Sequence, residues 1–395
     1  MLKYIKLIFI FALIIFTLIA CDKNSTTTSE NKVDNIENTT TVGDSIVFAV
    51  VYPVEDVDDT TGIWEGINLA VDNINTEGGV KGREIKLIRY DDQGSVTRGL
   101  EIAQSLAEDD KVTAVIGHWN SRVSIAAAPI YEKAGKLMIS PASTNSQLIK
   151  NDYNYIFQQV INSDREGSEI AEFAARDNYK NVAIFYADDA YGRELADSFS
   201  ETAKAIDLEV KDRISFLGSN LEARRLVKKW QALDVELLFL ADALPSAGRS
   251  LNRLRDSGLS IPIIGGTGID TEGFINNYGK AAEGSYVLTF FNPDSERVEI
   301  NEFVNIYLDK FGKMPDPWAV QGYDTVNILY EAIKRVNPYV PSNEIPGVLA
   351  EEIRQLGQWS GIGGDLIIGE NGSIEGHRVI FKEVEDNRYI YLGQD

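Results

Sequence analysis

The chain has 395 residues, 44% of them hydrophobic, with a mean hydropathy of -0.16. That is long enough for two domains at about 150 residues each and apolar enough to give each a core. A formal charge of -22 argues against a nucleic-acid partner, because phosphate binding needs a basic face, and two histidines with a single cysteine argue against a zinc site and leave no intramolecular disulfide.

The N-terminus opens with lysines, Met1-Leu-Lys-Tyr-Ile-Lys6, followed by an apolar run from Leu7 to Ala20 and then Cys21. Basic, apolar and small residues in that order form an export signal. Leu18-Ile19-Ala20-Cys21 resembles a bacterial lipobox, in which the cysteine is lipidated and becomes the mature N-terminus. The rival reading is a buried helix or a membrane span, but the run is short for a span, which takes about 20 residues. Residues 1–20 are therefore expected to be a signal peptide. Residues 21–43, rich in Ser, Thr, Asn and Glu, are expected to be a lipidated flexible tether, because they hold too little apolar surface to offset their ordering entropy. No later apolar run is long enough to span a bilayer, so the lipid on Cys21 would be the membrane attachment.

From Ser45 the pattern alternates. Ser45–Tyr52 is a continuous apolar run, as expected of a strand covered on both faces. Gly62–Asn75 carries apolar residues at helical spacing and ends at Gly78-Gly79. Strands over Glu84–Tyr90, Thr113–Ile116 and Lys136–Ile139 alternate with helices over Thr97–Ala107 and Val123–Ala134. The alternation restarts after Asp164: helix Glu169–Arg176, strand Val182–Tyr186, helix Glu194–Ala205, and so on to Pro262–Ile264. Later come a strand over Ser285–Phe291, helices over Asn301–Phe311 and Ala319–Val336, and short strands in the tail. Two sets of βα units imply an α/β fold of two doubly wound parallel sheets.

No catalytic constellation is visible: there is no HExxH, no GxSxG elbow and no GxxxxGK[ST] phosphate loop. Gly265-Gly266-Thr267-Gly268 reads as a tight strand-to-helix turn, His118 as a hydrogen-bonded wall residue, and His377 as a surface residue. The strand ends carry more. In open α/β sheets ligands bind beyond the carboxyl ends of the strands. Gly117-His118-Trp119-Asn120-Ser121 and Ser140-Pro141-Ala142-Ser143-Thr144 both place hydroxyls there, just before helices. Asn120 or Ser121 suits a helix N-cap, which alone would explain it; a helix N-terminus is also a ready anion site.

At these turns the chain resembles a type I periplasmic binding protein, of the leucine/isoleucine/valine-binding branch of ABC-importer receptors. The stretches that carry the resemblance include Gly66–Asn75, Gly78-Gly-Val-Lys-Gly82, Tyr90-Asp-Asp92, Val115–His118, Pro129-Ile-Tyr131, Ser140-Pro-Ala142, Tyr191-Gly192 and Tyr323-Asp-Thr325, in that order. The resemblance implies two Rossmann-like lobes joined by a hinge of three crossing strands, one from 44–161 plus about 290–372 and the other from 162–289 plus about 373–395. It also implies that Ser121 and Thr144 hold a ligand carboxylate, that Ala142 and Thr144 meet its ammonium group, and that Tyr191 and Trp318 cover it, with Ser143 in the same turn. Departures from the family stand at Thr267, where the branch places a glutamate for the ammonium group, and at Ala243, where it places a tyrosine. Asp242 or Asp270 is the candidate for the missing charge. Trp119 and Arg122 are bulky neighbours of Ser121, and Glu55, Asp56, Asp58 and Asp59 form an acidic loop, solvated or cation-selecting.

The expected protein is a non-enzymatic, lipid-anchored receptor on the outer face of the cytoplasmic membrane, a monomer without cofactor or metal. It would deliver an amino acid or related zwitterion to an ABC permease. A sensory lipoprotein using the same cleft is the alternative, and an enzyme on this scaffold the remote one.

Overall fold

The computed structural model describes residues 45–337, 340 and 344–393. The signal peptide, Cys21 and the tether lie outside the described residues.

The first half of lobe 1 runs β1 (Ile46–Tyr52), α1 (Val54–Asp58), α2 (Ile63–Thr76), β2 (Ile85–Asp91), α3 (Val96–Ala107), β3 (Val112–Gly117), α4 (Ser121–Ala134), β4 (Met138–Ser140) and β5 (Ile156–Gln158). Lobe 2 follows with α5 (Ser163–Arg176), β6 (Asn181–Tyr186), α6 (Ala190–Ala205), β7 (Glu209–Ile214), α7 (Asn220–Ala232), β8 (Leu237–Ala241), α8 (Ser246–Asp256), β9 (Ile263–Gly265), α9 (Glu272–Ala282) and β10 (Ser285–Thr289). The chain then returns to lobe 1 through α10 (Val298–Phe311), α11 (Pro317–Arg335), α12 (Ile345–Leu356), β11 (Gln358–Gly361), β12 (Gly364–Ile368) and β13 (Ile374–Glu375). It ends in lobe 2 with β14 (Ile380–Glu385) and β15 (Arg388–Leu392).

Lobe 1 is built on the parallel sheet β2-β1-β3-β4-β5. The apolar run of β1 is buried along almost its whole length, with α2 and α11 on one side of the sheet and α3 and α4 on the other. Lobe 2 repeats the plan with β10-β9-β8-β6-β7 in parallel, and the tail hairpin β14–β15 extends that sheet antiparallel from β10. β11, β12 and β13 form a separate antiparallel sheet.

Three segments pass from one lobe to the other, and Gln321 of α11 joins two of them. Gln159 Nε2 donates to Gln321 Oε1 at 3.1 Å, and His377 Nε2 lies 3.2 Å from the same oxygen. His377 is therefore not a surface residue, as its place in the strand-rich tail suggested: it is 1% exposed, edge-on to Phe290, and burial pushes its imidazole down to about 3. Two further readings change. The acidic stretch after β1 is a short helix, α1, rather than a loop, with Asp58 paired to Arg89. Helices α9 and α12 occupy stretches to which the sequence reading assigned no element.

Candidate functional site

The strand ends of the two sheets face one another across a cavity of about 310 Å³. It is at the lower end of the roughly 300–1,000 Å³ usual for ligand pockets.

The lobe 1 wall comes from adjacent strands. β3 and β4 pair in register, Val115 with Met138 and Ile116 with Ile139, so the turns that follow them lie side by side. His118 ties these turns together. Its carbonyl accepts hydrogen bonds from the hydroxyls of Ser124, Ser140 and Ser143 at 3.1, 2.8 and 3.2 Å. Its ring, fully buried, contacts Asp92 Oδ2 at 2.7 Å and Tyr131 Oη at 3.2 Å. His118 is thus a framework residue behind the wall.

Two features of this wall suit an anion. Asn120 is the N-cap of α4, yet it makes no side-chain cap hydrogen bond, and its buried Oδ1 has no partner. The start of α4 therefore faces the cavity without a side-chain acceptor from its own cap. Ser121 and Thr144 both line the cavity beside it. The Ser121 hydroxyl accepts the Asn145 N–H at 3.4 Å and keeps its own proton to donate; the Thr144 hydroxyl is 2.8 Å from that of Ser163. Apolar cover comes from Trp119 and Trp318, whose rings are 4.6 Å apart and tilted by 52°.

The lobe 2 wall is different in kind. Asp189 caps α6 by accepting the N–H groups of Tyr191 and Gly192. Tyr191 then reaches across to the β9 turn, where its hydroxyl accepts the Gly268 N–H at 3.2 Å. A Cβ on Gly268 would lie 2.9 Å from that hydroxyl and 2.7 Å from the Asp242 carbonyl, so this close approach needs glycine. Asp242 is 5% exposed and accepts the Ala243 N–H at 2.7 Å; burial pushes its carboxyl up to about 6, against the pull of its hydrogen bonds to Ala243 and Ser246. At one rim the lobes touch directly: Asn145 Nδ2 donates to the Ala190 carbonyl at 2.5 Å, and the Ser146 N–H to Glu194 at 2.9 Å.

Of the residues singled out from sequence, Asp56, Trp119, Ser121, Arg122, Ala142, Thr144, Tyr191, Asp242, Ala243, Thr267 and Trp318 all line this one cavity, whereas Glu55, Asp58 and Asp59 of the acidic stretch do not. Ser143 does not; it sits behind the wall, hydrogen-bonded to the carbonyls of His118 and Trp119. Asp270 is also outside it, buried with the Lys382 ammonium 2.6 Å away. Sequence reasoning did not single out Asp189 or Gln93, which line the cavity too. An aspartate directly before a helix, as in Asp188-Asp189-Ala190, is a visible capping signal, but nothing in the sequence says that the cap borders a cleft. Among the described residues no group of three or more His, Cys, Asp or Glu could hold a metal ion.

A polar cleft between the strand ends of two doubly wound lobes, with three chain crossings behind it, defines a two-lobed ligand-binding protein. The periplasmic binding protein family matches residues 53–388, and the chain belongs to that family. It is 30% identical to Leu/Ile/Val-binding protein homolog 2 of Brucella abortus over 340 residues, which is 84% of this chain and 88% of the relative. Among solved structures it is similar to an ABC transporter substrate-binding protein from Desulfitobacterium hafniense in complex with Leu, at 34% identity and a TM-score of 0.78, over 88% of this chain and 100% of that one. A leucine-binding protein from Thermotoga maritima is 25% identical, with a TM-score of 0.77 over 88% of this chain and 98% of that one.

Proposed function

We propose that this chain is the lipid-anchored, non-enzymatic receptor of an ABC importer, binding an amino acid or a related small zwitterion between its lobes and delivering it to a permease. The observation that carries the reading is the polarity of the cavity. Hydroxyls, the start of α4 and Arg122 lie on the lobe 1 wall and Asp189 and Asp242 on the lobe 2 wall, with Asp56 of α1 also on the lobe 1 side, so the cavity offers both a seat for a carboxylate and acids for an ammonium group. The leucine complex of the Desulfitobacterium hafniense relative supports an amino acid as the ligand class. Lobe closure over the ligand gives a permease a conformation to recognise, so occupancy couples to transport by a shift in population. Cys21 anchors the receptor on the outer face of the cytoplasmic membrane; one acyl chain binds only marginally, so stable attachment takes more than one. Mass spectrometry of protein purified from membranes would find diacylated or triacylated Cys21, and an unmodified cysteine would reject the anchor.

A thermal-shift screen of the full-length protein against amino acids, amides, polyamines and small acids tests the ligand. A ligand at about 100 times its dissociation constant adds about 2.7 kcal/mol of stability. The double variant Ser121→Ala plus Thr144→Ala should lose that gain for every carboxylate ligand, and full retention of binding would overturn the assigned carboxylate seat.

A further inference from the structure

The lobe 2 carboxylates on the cavity wall are engaged by backbone amides. Asp189 accepts two amide N–H groups of α6, and Asp242 accepts the amide of Ala243. Glu166, on α5, is different. It is completely buried directly behind the β9 turn, where its Oε1 accepts the Thr267 N–H at 2.5 Å, and its Oε2 has no hydrogen-bond partner. A buried carboxylate oxygen left unmet is costly and calls for an explanation.

The turn is shaped around this side chain. A Cβ on Gly266 would lie 2.0 Å from Glu166 Oε1, although the backbone there is extended and would accept any residue. Room for the glutamate, not backbone freedom, is what glycine supplies at 266. The two residues in front of Glu166, Thr267 and Tyr191, both line the cavity. Among the described residues Glu166 makes no ion pair, and the charged group that acts on it is another acid, Asp270, which Lys382 pairs with at 2.6 Å. The negative charge of Glu166 therefore has no fixed partner of its own, and it lies one residue behind the wall that faces the positive end of a zwitterion. Burial raises its carboxyl to about 7 against the bonds from Thr267, as expected for a charge lacking a counter-ion.

We propose that Glu166 is the counter-charge for the ligand's ammonium group, acting from behind Thr267 and through Thr267 and Tyr191, and that it makes the cleft select α-amino acids over plain carboxylates. This rests on the amino-acid reading above. Glu166 is a positioning residue: it fixes the Thr267 amide and sets the field at the ammonium seat without touching solvent.

Glu166→Gln tests it, because the amide oxygen still accepts the Thr267 N–H while the charge is gone. Full-length wild type and variant are titrated calorimetrically at mildly alkaline pH with leucine and isocaproate, valine and isovalerate, and alanine and propionate, each pair differing only in the ammonium group. The variant is expected to bind the amino acids about tenfold or more weakly and the carboxylates unchanged, so the preference within each pair collapses. Its unliganded melting temperature should be equal to or above that of wild type, because a buried unpaired charge has been neutralised. Unchanged amino-acid affinity, or an equal loss for both members of a pair, would overturn the proposal while leaving the amino-acid reading intact. A wild type that binds none of the amino acids would overturn both.

Discussion

The two walls of the cleft are made by the same topology and differ in charge. In lobe 1 the turns after β3 and β4 present hydroxyls, indoles and the uncapped start of α4. In lobe 2 the turns after β6 and β8 present Asp189 and Asp242, and Glu166 of α5 stands one layer behind the turn after β9. A doubly wound lobe always places helix starts beside its strand ends, so its default potential there is positive. Lobe 1 leaves that default standing at α4, although Asp56 of α1 also lines its side of the cavity. Lobe 2 cancels it, because Asp189 takes up the first amides of α6. A cleft between two unmodified lobes would favour a dianion; spending carboxylates on one side makes it dipolar.

The largest expected contrast separates the frames of the two walls. In lobe 1, a Cβ on Gly66 would stand 1.9 Å from the Ala319 carbonyl oxygen, where α2 and α11 pack backbone to backbone. That obstacle cannot swing aside, so Gly66→Ala should cost about 3 kcal/mol or more of unfolding free energy in urea, at the top of the overpacking range. In lobe 2, the Cβ of Gly266→Ala meets the end of the Glu166 side chain, which can move. The expected loss is smaller, about 1–2 kcal/mol, and falls on ligand affinity as Glu166 leaves Thr267. Equal stability losses in the two variants would show that both glycines serve packing alone.

A pH series sharpens the contrast. The folded Glu166 carboxyl lies at about 7 against 4.5 unperturbed, and that of Asp242 at about 6 against 3.8. Both are raised, so the folded state holds protons that the unfolded state has released. The stability they contribute is complete below the unperturbed values and is lost as pH rises through the folded ones. Ligand binding has the opposite sign, since an ammonium group needs the ionised carboxylate. From about pH 8 to about pH 5, the contribution of these two groups should stabilise the unliganded protein while the thermal shift given by an amino acid shrinks. Glu166→Gln should flatten the part that centres near 7. Lobe 1 variants such as Ser121→Ala should leave the shape of both curves in place, and a profile of the ligand shift that Glu166→Gln does not alter would remove Glu166 from the account.

The legible parts of the molecule are those in which one short stretch carries its own explanation. β1 is readable because Ile46–Tyr52 is an unbroken apolar run, and a run of that kind has only a two-sided burial to satisfy it. The turns at 117–121 and 140–144 are readable because small and hydroxylic residues follow such runs directly. Glu166 is not, because its meaning depends on Gly266 and Thr267, far along the chain and in another element. In sequence it sits among Ser163-Asp-Arg-Glu-Gly-Ser168, a polar stretch ahead of the helix expected from Glu169, whereas α5 begins at Ser163. Gly167 was the one hint: a Cβ there would lie 2.8 Å from the Leu195 carbonyl oxygen, so this end of α5 is pressed against α6. His377 fails in the same way, as its burial comes from Gln321 and Phe290 on segments it meets only after folding. Helix α12 is a different kind of miss: Leu349 and Ile353 already stand at helical spacing, and the signal was present.

Tyr191 gives the smallest expected effect and the finest test of how the acidic wall is held. Its hydroxyl accepts one amide N–H, that of Gly268, and so ties the start of α6 to the β9 turn. Tyr191→Phe removes the acceptor and keeps the ring. The residue is only half-buried, so water replaces part of the lost bond, and the unfolding free energy should fall by about 0.5–1 kcal/mol. The functional loss should show in a different quantity. A Thr267–Gly268 turn without this tether is freer to move away from the ligand, so the dissociation rate measured by stopped-flow should rise severalfold while association changes little. Ser121→Ala plus Thr144→Ala, acting on the opposite wall, should instead abolish the complex. If Tyr191→Phe proved as damaging as that double variant, the phenol would itself be a main ligand contact, and the second wall would bind through its hydroxyl as well as through charge.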